Sequence, residues 1–142
     1  MHILLAALLA MLPSFASAQP VNGVIIRCGA SSGYSFFFKG PLNTEGPNWD
    51  ADRLSNGKIV LIRLGEEWDI QFDDAIGSFG YRQDGAEVFP LMEAEGLLMV
   101  GAFGAQYADI YTFDLTNKVV GWTSSKLGPI VPKSAAYSAT CD

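Results

Sequence analysis

Residues 68–73 read Trp-Asp-Ile-Gln-Phe-Asp, and this stretch carries the pattern that decides the fold. Apolar and polar residues alternate, so Trp68, Ile70 and Phe72 would share one face of an extended chain. Asp69, Gln71 and Asp73 would occupy the opposite face. The segment therefore predicts a β-strand with one buried face and one solvated face.

Similar segments lie on both sides of this strand. Tyr34, Phe36 and Phe38 would share one face of an earlier strand, and residues 58–64 form a nearly continuous apolar run that is typical of a central strand. Apolar residues at helical spacing over a dozen positions are hard to find. Further strands are predicted near residues 24–28, 78–82, 87–92, 97–103, 107–113, 118–124 and 130–140.

Turn-forming pairs separate these strands, and they predict the fold class. The pairs are Asn56-Gly57, Asp84-Gly85, Glu95-Gly96 and Asn117-Lys118. We expect an all-β domain, a small antiparallel β-barrel or sandwich of about 8–10 short strands, with a lipocalin-like meander favoured. Residues 29–33 are predicted to form a hairpin turn, and residues 40–57 an irregular loop with a short helical turn near residues 50–54.

The start of the chain has the features of a secretory signal. An apolar run extends from Ile3 to Leu12, too short for a membrane span of about 20 residues. Ala16-Ser17-Ala18 then supplies the small-x-small pattern that signal peptidase accepts. A buried N-terminal helix is the alternative interpretation. We expect residues 1–18 to be a signal peptide, residues 19–142 a single β domain, and the protein to be periplasmic or secreted.

The two cysteines, Cys28 and Cys141, lie near the two ends of the expected mature chain. Export would place them where thiols oxidise, and their spacing is neither a redox motif nor a complete zinc site. We predict a structural disulfide that brings the first and last strands together. In a strict meander, cysteines at the ends of these strands would require them to run parallel, or Cys28 to pair beyond its strand.

Composition excludes several function classes. The formal net charge of −6 gives no electrostatic reason to bind nucleic acid or anionic lipid. No second apolar stretch approaches membrane-spanning length, so we expect no membrane span in the mature protein. The only histidine is His2, within the expected signal, which excludes Ser-His-Asp and Cys-His catalysis and histidine-ligated zinc for the mature domain.

The acidic residues suggest no catalytic or metal site. Glu66-Glu67 and Asp73-Asp74 are adjacent, so in a strand the members of each pair would face opposite sides. Asn48, Asp50 and Asp52 begin like a calcium loop, but Arg53 and Ile59 stand where an EF-hand has Gly and Glu. We therefore assign no catalytic residue, no metal ligand and no cofactor.

The aromatic residues provide the candidate binding residues. Most would pack in a β core, but a barrel lumen or rim lined by aromatic rings would also hold a small apolar ligand. The three tryptophans, Trp49, Trp68 and Trp122, are the candidate ligand-binding residues. Trp49 lies in the expected loop, so core packing explains it least.

Two resemblances accompany these residues. The segment from Cys28 to Phe38, Tyr111-Thr112-Phe113 and the final Ala139-Thr140-Cys141 resemble the layout of small exported bacterial β proteins of unassigned function. The early Cys-Gly-aromatic order is also similar to periplasmic lysozyme inhibitors, which are small exported β-barrels with disulfides. Their inhibitory Ser and Lys loop has no placed counterpart here, so neither resemblance assigns a residue.

These observations favour a non-enzymatic exported β-barrel-like domain that binds a small ligand or an envelope protein partner. A periplasmic hydrolase inhibitor of the lysozyme-inhibitor type is the first alternative, with residues 40–57 as its candidate loop. A carboxylate-dependent enzyme that works without histidine is the second. A cavity, a rigid protruding loop, or two carboxylates in a cleft would discriminate between the three.

Overall fold

The computed structural model describes residues 22–54, 56–73, 77–128 and 131–142. Within these ranges the chain is all-β and contains no helix, as the alternation predicts. No helix long and apolar enough to cross a membrane is present in the described part of the chain. The expected signal peptide, together with Asp74, lies outside the described residues. The strands are β1 (Gly23–Phe37), β2 (Asn48–Leu54), β3 (Lys58–Leu64), β4 (Glu67–Asp73), β5 (Ser78–Gly80), β6 (Glu87–Ala94), β7 (Leu97–Phe103), β8 (Tyr107–Asp114), β9 (Val119–Lys126) and β10 (Lys133–Cys141).

The ten strands form one antiparallel sheet that curls into an open barrel. Its order is β5-β4-β3-β1-β10-β9-β8-β7-β6, and β2 pairs with β1 outside this path. Strands β6 to β10 are a continuous meander, as predicted. The chain departs from a strict meander at β1, because its first half pairs with β3 and its second half with β2 along the same edge.

The length of strand β1 explains where the disulfide lies. Gly23–Phe37 is one long strand, so the predicted hairpin turn at residues 29–33 is wrong. Cys28 therefore lies within the strand, directly opposite Cys141 in the antiparallel β1–β10 ladder. The predicted disulfide is confirmed, with the two Cα atoms 3.8 Å apart. The first and last strands meet without running parallel, because Cys28 lies inside β1 rather than at its end and can face Cys141 in an antiparallel ladder.

The predicted irregular region at residues 40–57 is only partly irregular. Asn48–Leu54 forms β2, so the expected helical turn at residues 50–54 is wrong. Register explains the difference, because β2 lies against β1 with Trp49 opposite Phe36 and Asp52 opposite Gly33. Strand pairing with β1 supplies backbone hydrogen bonds that a short isolated helical turn would lack.

The edge of the barrel is closed by one side chain rather than by a strand ladder. Arg82 follows β5, and its guanidinium donates to the carbonyl of Trp68 in β4 at 2.6 Å and to that of Val88 in β6 at 3.0 Å. β6 is the last strand at one end of the sheet order, and β4 is next to the terminal strand β5 at the other end. The bridge curls the sheet around an interior whose buried apolar core includes Ile26, Leu61, Ile70, Val100, Phe113 and Val120.

Candidate ligand site

The barrel interior is not filled throughout. A cavity of about 250 Å³ remains between β2, β4, β5, β8, β9 and β10. At about 30 Å³ for each water in the liquid, this volume has room for roughly eight water-sized groups. The cavity therefore has room for a small molecule.

Six aromatic rings form a continuous arc around this cavity, here called the aromatic arc. In order they are Phe72, Phe79, Tyr81, Tyr111, Trp122 and Tyr137. Successive ring centroids lie 5.8, 5.9, 6.1, 5.4 and 5.1 Å apart. These separations are within the range of favourable aromatic contacts, so the rings support one another as well as the cavity.

Two aspartates line the cavity, and the first, Asp52, is surrounded by donors. Its Oδ2 accepts hydrogen bonds from Lys133 Nζ, Tyr137 OH and Ser35 Oγ, each at 2.7 Å. Lys133 Nζ also donates to Tyr137 OH at 2.8 Å and lies 5.5 Å from the centroid of that ring. The cluster joins β1, β2 and β10 and contains its own counter-charge.

The electrostatics of this cluster favour the charged forms of its two ions. Burial alone would raise the pKa of Asp52, but the hydrogen bonds from Lys133, Tyr137 and Ser35 and the charge of Lys133 outweigh it and hold the pKa at about 2. For Lys133, burial lowers the pKa, and the bonds to Asp52 and Tyr137 raise it above its usual range. The pair is therefore ionised across the physiological pH range.

A glycine allows Tyr137 to reach this cluster. Gly33 lies opposite Tyr137 in the β1–β10 ladder. A Cβ atom at this position would collide with the carbonyl oxygen of Ala136 and would meet the Tyr137 ring at 2.8 Å. Glycine at position 33 thus lets the Tyr137 ring lie across β1, where its hydroxyl contacts Asp52.

The second aspartate, Asp109, lies on β8 and is only 2% exposed. Tyr81 OH donates to its Oδ2 at 2.5 Å, and the Tyr81 and Tyr111 hydroxyls are 2.7 Å apart. Because the single proton of Tyr81 points to Asp109, Tyr111 must be the donor in the second bond. The result is a directed chain from Tyr111 through Tyr81 to the carboxylate.

One oxygen of Asp109 is left without a partner. Among the described residues, Oδ1 is buried and has no hydrogen-bond partner, and no Lys or Arg forms an ion pair with this carboxylate. Burial raises the pKa of Tyr81 and Tyr111 far above the usual range, and the charge of Asp109 adds to both shifts. Both phenols therefore remain protonated donors next to the aspartate.

The cationic residues at the cavity lie toward solvent. Arg53 and Lys126 line it, but both are exposed, so their charges are at its mouth. Lys133 is engaged by Asp52. The deep end thus holds a carboxylate within aromatic rings, and positive charge is confined to the rim and to the Asp52 cluster.

The three tryptophans predicted as ligand-binding residues have different environments. Trp122 is 7% exposed and stacks on Tyr111 in the aromatic arc. Trp68 packs against the core under the guanidinium of Arg63, 5.1 Å from the ring centroid. Trp49 is 66% exposed on β2, where it contacts Phe36. The fold brings only Trp122 to the cavity, and a binding role of the other two would need a separate surface.

Sequence reasoning did not identify Asp109, Tyr81 or Tyr111 as site residues. A signal was present, since the period of two places Asp109 on the same face as Tyr111 and Phe113, where a core residue is expected. No group of three His, Cys, Asp or Glu side chains within the described ranges is placed to hold a metal ion. The donor set of the cavity instead suits an organic ligand.

Comparison with known proteins gives no further guide to this site. The chain matches no family model, no curated protein and no solved structure at a significant level. Its function must therefore be inferred from the geometry of the cavity.

Proposed function

We propose that the protein is an exported, non-enzymatic β-barrel-like domain that binds a small ligand in the cavity enclosed by the aromatic arc. The observation that carries this proposal is Asp109, which lines the cavity and whose buried Oδ1 has no hydrogen-bond partner among the described residues. Leaving such an oxygen unpaired costs about 1–3 kcal/mol or more. A cost of this size at the wall of a cavity is expected where a ligand supplies the missing partner.

Export is supported by two independent features. The apolar run and small-x-small pattern before Gln19 are typical of a signal peptide. The Cys28–Cys141 disulfide is a bond that persists in the periplasm or outside the cell but rarely in the cytosol. The site of action that we propose is therefore the periplasm or the extracellular space.

The enzyme alternative receives less support from the same cavity. A carboxylate general acid needs a raised pKa, but the environment of Asp52 lowers its pKa to about 2. Its Oδ2 is also engaged by three donors of the protein itself. Asp52 is thus better suited to holding β2 against β10 than to transferring protons.

A protein partner is the second candidate, and an exposed aromatic surface favours it. Tyr34, Phe36, Phe38 and Trp49 lie on one face of the β1–β2 pair, and Tyr34 is 63% exposed. A contiguous exposed apolar patch can mark a protein interface. This face, which includes Trp49 of the candidate segment 40–57, is the surface on which a partner or inhibitor role would rest.

A titration with small neutral molecules tests the ligand-binding proposal. Indole, p-cresol and cyclohexanol would be added to the ¹⁵N-labelled oxidised protein up to millimolar concentrations, with amide shifts as the readout. We expect at least one to bind, with the largest shifts in β8 and β9. Ser124→Leu, which fills the cavity from β9, should abolish binding. Ser125→Leu, the exposed neighbour of Ser124, is the matched control and should not.

Two results would contradict the proposal. One is the absence of any shift with every compound of both the neutral panel and the charged panel described below. The other is binding that Ser124→Leu leaves unchanged, because the compound would then occupy a different part of the surface.

A further inference from the structure

A tyrosine hydroxyl donates to the aspartate in both clusters, but only the cluster at Asp52 contains a cation among the described residues. At Asp52 and at Asp109 alike, a tyrosine hydroxyl donates to Oδ2, with donor–acceptor distances of 2.7 and 2.5 Å. At Asp52 an ammonium group, Lys133 Nζ, also contacts the carboxylate at 2.7 Å. At Asp109 no cationic side chain among the described residues does so.

Lys133 shows how this cavity accommodates an ammonium group. Its Nζ contacts a carboxylate and lies 5.5 Å from the centroid of Tyr137 and 5.6 Å from that of Phe37. Carboxylate contact together with neighbouring aromatic rings is the arrangement that proteins use for organic ammonium ions. The surroundings of Asp109 contain similar chemistry, since Tyr81 donates to the carboxylate, Tyr111 donates to Tyr81, and Trp122 stacks on Tyr111.

We propose that the ligand is a small organic amine whose ammonium group supplies the counter-charge of the Asp109 carboxylate while its carbon skeleton lies against the aromatic arc. This inference rests on the proposed function, because it assigns a chemical class to the ligand of the same cavity. An anionic head group is disfavoured at the deep end, since the buried carboxylate would repel it. A purely apolar ligand would leave the Asp109 carboxylate without a counter-charge and would forfeit the strongest interaction that the site offers.

The volume of the cavity limits the size of the amine. Room for roughly eight water-sized groups admits the whole of a compound such as choline or glycine betaine. The exposed Arg53 and Lys126 at the mouth would tolerate an anionic group at the far end of the ligand. Both a simple cation and a zwitterion are therefore suitable probes.

The test separates charge from shape. Choline and 3,3-dimethyl-1-butanol have the same size and shape, but only choline carries a positive charge. We expect choline, glycine betaine or both to bind at least about tenfold more tightly than the neutral alcohol, measured by calorimetry or amide shifts. This ratio corresponds to about 1.4 kcal/mol of binding free energy. The comparison uses the wild-type protein alone, so it does not depend on a variant that folds.

A variant pair then assigns the effect to Asp109. Asp109→Asn should remove the preference for the charged compounds, because the amide keeps an acceptor for Tyr81 but carries no charge. Glu66→Gln removes one negative charge from the exposed turn between β3 and β4 and is the matched control. It should leave the preference unchanged.

The outcomes distinguish this inference from the proposed function. Equal binding of choline and the neutral alcohol would overturn the amine assignment and keep a ligand-binding cavity. Binding of the neutral panel without binding of either choline or glycine betaine would do the same. A preference that survives in Asp109→Asn would place the ammonium elsewhere and overturn the inference. No binding by any compound of either panel would overturn both proposals.

Discussion

Asp52 and Asp109 line the same cavity, but they differ in exposure and in the number of their hydrogen-bonding and charged partners. Asp52 receives three hydrogen bonds, one of them from Lys133, and its side chain is 29% exposed, so solvent also screens it. Asp109 is almost fully buried and receives one tyrosine hydroxyl, with its other oxygen unpartnered among the described residues. We infer that Asp52, with its counter-charge, stabilises the fold. We propose that a ligand offsets the cost of burying Asp109 without a counter-charge.

The two walls of the cavity that carry these residues also differ in the interactions that stabilise them. The Asp52 wall consists of β1, β2 and β10, and the disulfide joins β1 to β10 covalently. The Tyr81 segment, which contacts Asp109, is connected across the barrel edge by the hydrogen bonds of Arg82. The first wall is therefore stabilised by a covalent bond, whereas the second depends on burial and hydrogen bonds. Four predictions test this division, from the largest expected effect to the smallest.

Removing the disulfide should have the largest effect on stability. Cys28→Ser with Cys141→Ser releases a loop of sequence separation 113. The chain-entropy model predicts a loss of about 4–5 kcal/mol in the free energy of unfolding. Urea denaturation of the double variant against the oxidised wild type measures it. A loss below about 1 kcal/mol would show that the β1–β10 ladder alone holds this wall together.

Breaking the ion pair of the same wall should cost less. Lys133→Met keeps the length of the side chain but leaves Asp52 without a cation, and we expect a loss of about 1–2 kcal/mol, because the pair is only partly buried. The control is Lys126→Met, since Lys126 lies opposite Lys133 in the β9–β10 ladder but is exposed. Equal losses in the two variants, measured by urea denaturation, would argue against a structural role for the pair.

The pH dependence of stability should report the same pair. The pKa of Asp52 is about 2 in the folded protein, whereas the ordinary pKa of an aspartate is 3.8. The folded state therefore favours the charged form. The contribution of Asp52 is therefore present above about pH 4 and is lost as the pH falls toward 2. Because Asp52 is partly solvated, we expect a loss of only about 1 kcal/mol over this interval. Lys133→Met should flatten the curve in that range, and an unchanged slope would contradict the assignment.

The sequence predicts the framework of this molecule well, because the framework follows local rules. The alternation in residues 68–73 predicts β4, and Glu95-Gly96 predicts the turn between β6 and β7, where both residues have positive φ angles of 51° and 83° as a two-residue hairpin requires. The disulfide follows from export chemistry. None of these predictions needs knowledge of which strands are neighbours across the barrel.

The site depends on which strands are neighbours across the barrel, and this the sequence does not show. Tyr81 lies in a turn and Asp109 in the middle of β8, and only the curl of the sheet brings them within hydrogen-bond distance. Asp52 and Lys133 are likewise joined through two ladders on β1. The error at residues 29–33 has the same origin, because pairing with β10 and β2 extends glycines and serines that would form a turn in isolation. Periodicity could still have marked Asp109 as a carboxylate on a core-facing position.

The smallest expected effect is a change in the free energy of unfolding, and its sign should differ between the variants of the two aspartates. Asp109→Asn removes a buried charge that has no counter-ion among the described residues, and it keeps an acceptor for Tyr81. We expect the ligand-free protein to gain about 0.5–1 kcal/mol in the free energy of unfolding. Asp52→Asn leaves Lys133 without its partner, and should cost about 1 kcal/mol or more.

Urea denaturation of both variants without ligand, and of the wild type with saturating choline, completes this comparison. Choline should stabilise the wild type by an amount that rises with its concentration, and should have little effect on Asp109→Asn. A loss of stability in Asp109→Asn comparable to that in Asp52→Asn would mean that both carboxylates are structural. A gain in stability coupled to a loss of amine binding is the exchange expected when a buried group is retained for function rather than for folding.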